Sequence, residues 1–242
     1  MPEQNANFAE RAYGHRSFEH NKRTTFAIIT NIAKALQRPL RIADLSCGTA
    51  VLPGILCEEL GKNVEYLHLI DVDRRFLELA QEYLAPKGVP LKVDLYNLNE
   101  PASYPALDCI DLAISTNALF HATAQVLPEV YKWLFTGLKS GGLLINHQTF
   151  GFDSSAGSVL YGGPLKSLTP NAALDALDRE IGRRTGMDQK KFASPSPHSG
   201  GGRYAGVNLR ADHHLRLLTD CGFHAEEVWR FGQSAVIVAL RP

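Results

Sequence analysis

Two short runs of this chain have the residue types and spacing of a nucleoside pocket. Arg41-Ile-Ala-Asp-Leu-Ser-Cys-Gly-Thr-Ala-Val51 passes from an apolar strand through small residues into a helix, and Leu69-Ile-Asp-Val-Asp73 ends a second apolar strand in acid. The small residues Ser46, Gly48 and Ala50 let the backbone come close to a ligand at a helix start, where N–H groups point outward. Asp71 can accept hydrogen bonds from ribose hydroxyls at the carboxyl edge of a parallel sheet. The separation of about 27 residues between Asp44 and Asp71 suits one strand–helix–strand unit. A nicotinamide dinucleotide would call for three glycines in G-x-G-x-x-G, and Ser46-Cys-Gly-Thr-Ala-Val51 offers one.

The elements that must position these residues follow from periodicity. Residues 26–36 read as an amphipathic helix, with Phe26, Ile29, Ala33 and Leu36 near helical spacing and Pro39 beyond its end. Leu40–Leu45 is a short buried strand, Val51–Leu60 a helix closed by Gly61, and residues 64–70 the next strand. A helix follows over Arg74–Leu84, then strands at 91–96 and 109–115, a helix at 127–138, the turn Lys139-Ser-Gly-Gly142 and a fifth strand at 143–147. Alternation of strand and helix argues for a parallel sheet covered on both faces. At the end, a helix at 209–219 precedes two strands, 223–229 and Ser234–Leu240, close enough in sequence to pair antiparallel.

Residues 150–207 break this rhythm. A helical piece at 172–184 is followed by Ser194-Pro-Ser-Pro-His-Ser-Gly-Gly-Gly-Arg203. An insertion of this length after a central strand reads as a cap or lid over the pocket, or as disorder. The reading is thus one α/β domain over 1–242, with a helical cap at 1–38 and an inserted cap at 150–207.

Bulk properties narrow the partners. The chain has 242 residues, 25 basic and 25 acidic side chains, and a 45% apolar share. Zero formal charge argues against nucleic acid or an anionic membrane and toward a small, neutral partner. No apolar run reaches the roughly 18 residues a membrane span needs, and the polar opening does not read as a signal peptide, so none is expected. Cys47, Cys57, Cys109 and Cys221 form no CxxC pair and read as small core residues in a reduced, cytoplasmic protein. His213 and His214 read as solvated residues on a surface helix, and no metal site is expected. Composition leaves the oligomeric state open, a homodimer included.

In five blocks the chain resembles the class I S-adenosylmethionine-dependent methyltransferases. They are Ile42-Ala-Asp-Leu-Ser-Cys-Gly-Thr-Ala50, Leu69-Ile-Asp-Val-Asp73, Asp108-Cys-Ile-Asp-Leu-Ala-Ile-Ser115, Leu138-Lys-Ser-Gly-Gly-Leu-Leu-Ile145, and Leu218-Thr-Asp-Cys-Gly-Phe223 with the closing strands. The resemblance implies a Rossmann-like, seven-stranded, mostly parallel sheet with the last strand antiparallel, and S-adenosyl-L-methionine as cofactor. Carried over by position, Asp44, Ser46 and Gly48 would shape the turn around the methionine part. Asp71 would hold the ribose, Val72 would lie against the adenine, and Asn97 fits the contact to the adenine amino group better than Asp94. Leu98 would be the adenine's apolar floor, and Ser115 and Thr116 would lie toward the sulfonium. Tyr13, in an N-terminal segment mixing aromatics with charge, would reach over the cofactor or else belong to a surface helix.

The chain departs from the family's pattern at two places. Ser46 and Ala50 stand where the family turn usually has glycine, and the Ala50 methyl would crowd the helix start against the ligand. Ser115-Thr-Asn-Ala-Leu-Phe-His121 replaces an Asn-Pro-Pro-Tyr-like run, which argues against amino-methylation of DNA. A fainter likeness, in Phe150-Gly-Phe-Asp153, Cys221-Gly-Phe-His-Ala-Glu-Glu-Val-Trp229 and Ala235-Val-Ile-Val-Ala-Leu240, is to the carboxy-S-adenosylmethionine synthases, which remodel the cofactor.

Methyl transfer rests mainly on alignment and proximity, with a base needed only when the acceptor carries a proton to lose. His147 at the end of the fifth strand and His121 after the fourth are candidate bases; His147 reads more readily as a hydrogen-bonded wall residue, and His121 as a cofactor contact or a residue closing the helix start. The leading expectation is methylation of oxygen or nitrogen in a small molecule. The alternatives are cofactor remodelling and RNA methylation, for which Arg183, Arg184, Lys190, Lys191 and Arg203 would supply local positive charge.

Overall fold

The computed structural model describes residues 16–150, 209–231 and 234–242, with side chains from residue 24 onward except that of Phe231. Its residues group into two compact units, Ile28–Asp153 with Tyr204–Pro242 and Met1–Ala27 with Ser154–Arg203. The first unit holds the sheet; of the second, only residues 16–27 are among those described. Tyr13, with residues 1–15 of the expected N-terminal cap, and all of the expected 150–207 insertion beyond Phe150 lie outside the described residues.

Seven strands alternate with helices. In chain order the elements are α1 (Arg16–Ala35), β1 (Leu40–Leu45), α2 (Val51–Leu60), β2 (Val64–Asp71), α3 (Arg74–Leu84), β3 (Leu91–Leu95), β4 (Ile110–Thr116), α4 (Leu127–Gly137), β5 (Leu138–Thr149), α5 (Ala211–Asp220), β6 (His224–Phe231) and β7 (Ser234–Leu240). The strands lie in the order β3-β2-β1-β4-β5-β7-β6. β1 pairs in parallel with β2 and β4, β2 with β3 and β4 with β5, while β7 runs antiparallel to both β5 and β6. The expected sheet, with one antiparallel strand at the end of the chain, is the observed one. The strand order reverses between β1 and β4, which opens a crevice at the carboxyl edge there.

Period-two alternation sends successive side chains to opposite faces. One face, with Ala43, Leu45, Ile70, Ala113, Leu144 and Ile237, packs on Leu127, Val130, Tyr131 and Leu134 of α4 and Leu218 of α5. Buried residues of α2 and α3 belong to the helical layer flanking β2 and β3; Gly54 abuts the Tyr83 ring so closely that a Cβ there would meet it at 2.4 Å. On the amino edge, the fully buried Asp111 carboxylate takes ion pairs from Arg38 at 2.7 Å and Lys139 at 3.0 Å and accepts the Arg41 N–H at 2.9 Å. That one acid binds the starts of β1, β4 and β5 together.

Four local readings change. Helix α1 begins ten residues before the expected start, because its polar first half carries no apolar stripe to reveal it. The expected turn at 139–142 is a bulge inside β5, with Leu138 paired to Ile110 and Leu143 to Leu112, and Gly141 (φ 74°) and Gly142 exchanging backbone bonds with Arg241. Cys109 is exposed with φ 52°, so β4 starts one residue later, and Cys221 is only half-buried; Cys47 and Cys57 alone are core residues. His214 is not solvated. With Ala211 and Leu218 it forms the inward stripe of α5 and is 1% exposed.

Candidate cofactor and acceptor site

The turn between β1 and α2 keeps a glycine-like backbone although it has one glycine. Ser46, Gly48 and Ala50 have φ of 101°, 53° and 60°. Only glycine adopts such angles freely, and alanine there costs about 1–2 kcal/mol. Neighbours hold the conformation in place. The Ser46 and Cys47 N–H groups both donate to the Ile70 carbonyl, at 2.7 and 3.2 Å, and Ala50 N–H donates to the Cys47 carbonyl at 2.8 Å. The Ala50 methyl is wholly buried, whereas a Cβ built on Gly48 meets nothing within 4 Å. The open side of the turn is therefore at Gly48.

Asp71 closes this arrangement from the end of β2. Its carboxylate accepts from Gly48 N–H and Asp73 N–H, each at 3.0 Å, while its carbonyl accepts Tyr96 N–H at 3.1 Å. Burial raises the Asp71 pKa, against the lowering by those N–H donors. Asp44 lies deeper, 2% exposed, with one carboxyl oxygen unpartnered among the described residues. Burial, and then the charge of Asp71, push its pKa up to about 8. Val72, next to Asp71, is 65% exposed, an apolar side chain held out at the edge.

Beyond β3, Asn97 is built into a local turn: its amide donates to Glu100 at 2.6 Å and its oxygen accepts Asn99 N–H at 3.1 Å. Asp94 is bound within the sheet to His68 and Lys92, at 2.7 and 2.9 Å. Leu98 is buried in the core cluster, and its carbonyl accepts the Tyr104 hydroxyl. Asn99 clips the loop after β3 to the loop after β4, donating to the His121 carbonyl at 3.0 Å and accepting Thr123 N–H at 2.9 Å.

The candidate bases are in unlike settings. His121 is exposed, its ring 4.0 Å from that of Phe120, and partial desolvation lowers its pKa. His147 is 2% exposed, with Nε2 2.8 Å from the Ser234 hydroxyl. Register places Thr116 beside His147 on one face of the sheet, and Ser115 beside Asn146 on the other. The neighbours Ser115 and Thr116 therefore serve opposite faces. Asn146, Gln148, Tyr131 and His214, all buried, were missed by sequence reasoning; the signal was the polar run Asn146-His-Gln148 inside an apolar strand.

No family model matches the chain, and no curated protein matches it in sequence. Solved structures do match. An O-methyltransferase family protein from Burkholderia thailandensis superposes with TM-score 0.57 at 12% identity over 89% of this chain and 55% of that one. The CurJ carbon methyltransferase gives TM-score 0.55 at 15% identity over 84% and 49%. The S-adenosylmethionine-dependent methyltransferase SibL gives 0.52 at 15% identity over 85% and 51%. The fold is that of the class I S-adenosylmethionine-dependent methyltransferases. The chain spans about half the length of these methyltransferases. In the methyltransferase fold the turn at Ser46–Ala50, Asp71 and the ends of β4 and β5 all lie on the carboxyl edge, around the switch point between β1 and β4. Among the described residues no group of acids, histidines and cysteines could hold a metal ion, and no helix is long and apolar enough to cross a membrane.

Proposed function

We propose that this protein is a methyltransferase that uses S-adenosyl-L-methionine to methylate oxygen or nitrogen of a small molecule. One observation carries the reading: a turn with positive φ at Ser46, Gly48 and Ala50, open at Gly48, is held against the buried Asp71 at the switch point of this fold. The residues present fit the cofactor. The remaining lone pairs of Asp71 would accept ribose hydroxyls, Val72 would cover the adenine, and the bare Gly48 backbone would admit the methionine part beside Ser46 and Asp44. Asn97 and Leu98 would complete the adenine side, and Ser115 and Thr116 would border the reacting centre. The cofactor would supply a methyl group already activated on a sulfonium.

The chain's own task is then alignment and removal of water, worth several orders of magnitude in effective concentration. A proton-bearing acceptor also needs a base. His121 suits this role better than His147, because it is exposed at the edge and its lowered pKa keeps the ring neutral near pH 7. His147 would support the wall through Ser234.

Titration calorimetry with S-adenosylmethionine and S-adenosylhomocysteine tests the reading. Binding is expected; its absence at millimolar ligand sinks every cofactor assignment. Mass spectrometry of copurifying ligand separates methyl transfer from carboxy-S-adenosylmethionine formation. Salt-insensitive activity is expected of a small-molecule enzyme, whereas an RNA acceptor would make it fall steeply with salt. Cytoplasmic location, with the four free cysteines reduced, belongs to the same proposal.

A further inference from the structure

Ser115, Asn146 and Gln148 stand together on one face of the sheet near its carboxyl edge. Ser115 is the register partner of Asn146 on the neighbouring strand, and Gln148 follows two residues on, so the three side chains project the same way. The face around them is apolar, with Ala113, Leu144, Ala235 and Ile237. All three are buried, at 0%, 0% and 1% exposure. Yet Ser115 Oγ, Asn146 Oδ1 and Nδ2, and Gln148 Oε1 have no hydrogen-bond partner among the described residues.

A buried hydroxyl or amide left without a partner costs about 1–3 kcal/mol. Native cores hold few such atoms, and each calls for an explanation. A group of them on one patch is a standing cost that a bound polar group would remove. The patch is also uncharged. Gln148 Nε2 lies 3.2 Å from His214 Nε2, and His214 Nδ1 lies 2.6 Å from the Tyr131 hydroxyl. A carboxylate, phosphate or ammonium brought here would be desolvated with no counter-ion among the described residues of the patch. A neutral group would meet donors in Asn146 Nδ2 and the Ser115 hydroxyl, and acceptors in Asn146 Oδ1 and Gln148 Oε1.

We propose that Ser115, Asn146 and Gln148 form a subsite for an uncharged hydrogen-bonding group of the acceptor, such as a carboxamide, hydroxyl or carbonyl. Its assignment to an acceptor rests on the methyltransferase reading. The test titrates the full chain with acetamide and with acetate while heteronuclear NMR follows the side-chain amides of Asn146 and Gln148. Acetamide is expected to give saturable shifts of both amides and acetate none, and Asn146→Leu should weaken the acetamide response by about tenfold or more. Gln148→Met serves as the second variant should Asn146→Leu not fold. No response to acetamide, as a patch satisfied only by structural water would give, overturns the subsite, and so does an equal response to acetate. Calorimetry with S-adenosylhomocysteine on the same samples reads the cofactor site separately. Cofactor binding without an acetamide response sinks the subsite alone; an acetamide response without cofactor binding overturns its assignment to an acceptor.

Discussion

Asp71 accepts the Gly48 N–H at 3.0 Å, so the acid at the end of β2 fixes the turn that follows β1. The same carboxylate is the proposed ribose ligand. Asp71→Ala should therefore loosen the turn and the nucleoside contacts together. Loss of hydrogen bonds to a charged group, at about 1.5–3 kcal/mol, translates to about 10- to 100-fold weaker S-adenosylhomocysteine binding by calorimetry. An alanine variant that binds as tightly as the parent removes the ribose assignment and leaves the turn.

Ala50 pays for its left-handed backbone with no side-chain contact on the ligand side, since its methyl is buried. Ala50→Gly relieves that strain but gives the unfolded chain more freedom. The net expectation is a gain of about 0.5–1 kcal/mol in unfolding free energy, read from denaturant melts. Cofactor affinity should not fall. A weaker cofactor site in this variant would mean that the alanine methyl contributes to the pocket.

Two buried groups give opposite pH dependences. Burial, and then His213, lower the His214 pKa to about 4, so the folded state binds fewer protons than the unfolded state between that value and the ordinary 6.5. Stability from neutral His214 is full above 6.5 and is lost as pH falls toward 4. Asp44, raised from 3.8 to about 8, makes the folded state bind more protons in that window, so its contribution declines as pH rises through it. In thermal melts, His214→Gln should flatten the acid side of the stability profile and Asp44→Asn the alkaline side. Unchanged profiles would mean that neither group stays neutral in the fold.

Asp111 has two cationic partners and a backbone donor at the amino edge of the sheet, opposite the edge of the proposed site. Loss of hydrogen bonds to this buried charge, whose cationic partners are themselves partly exposed, costs about 1.5–3 kcal/mol. Asp111→Ala should thus lower the melting temperature strongly while leaving S-adenosylhomocysteine affinity unchanged in whatever fraction folds. A selective loss of cofactor binding at full stability would contradict this structural role.

Much of the sheet was legible because its signals are local. Pro39, Gly61 and the Asp73 cap, whose side chain accepts Arg75 N–H, punctuate β1, α2 and α3, whose bounds coincide with those read from periodicity. The antiparallel end followed from two apolar strands too close in sequence for a crossover. The misses have tertiary causes. His214 looks polar by type, yet it shares a stripe with Ala211 and Leu218, and Tyr131 and Gln148 give it partners that no local window contains. The bulge at 139–142 depends on Arg241, at the far end of the chain. At the site, small residues and an acid announced the turn, whereas the opposite facing of Ser115 and Thr116 emerged only with the register.

The turn at Ser46–Ala50 also shows how a backbone shape can be held without its usual residues. Its positive φ angles are enforced by the Ile70 carbonyl and Asp71, although serine and alanine stand at two of the three positions where glycine would adopt them freely. A motif written in glycines becomes invisible once packing takes over the work of holding the backbone. In this protein the shape of the turn is thus carried by torsions and by the groups that hold them, not by a run of glycines.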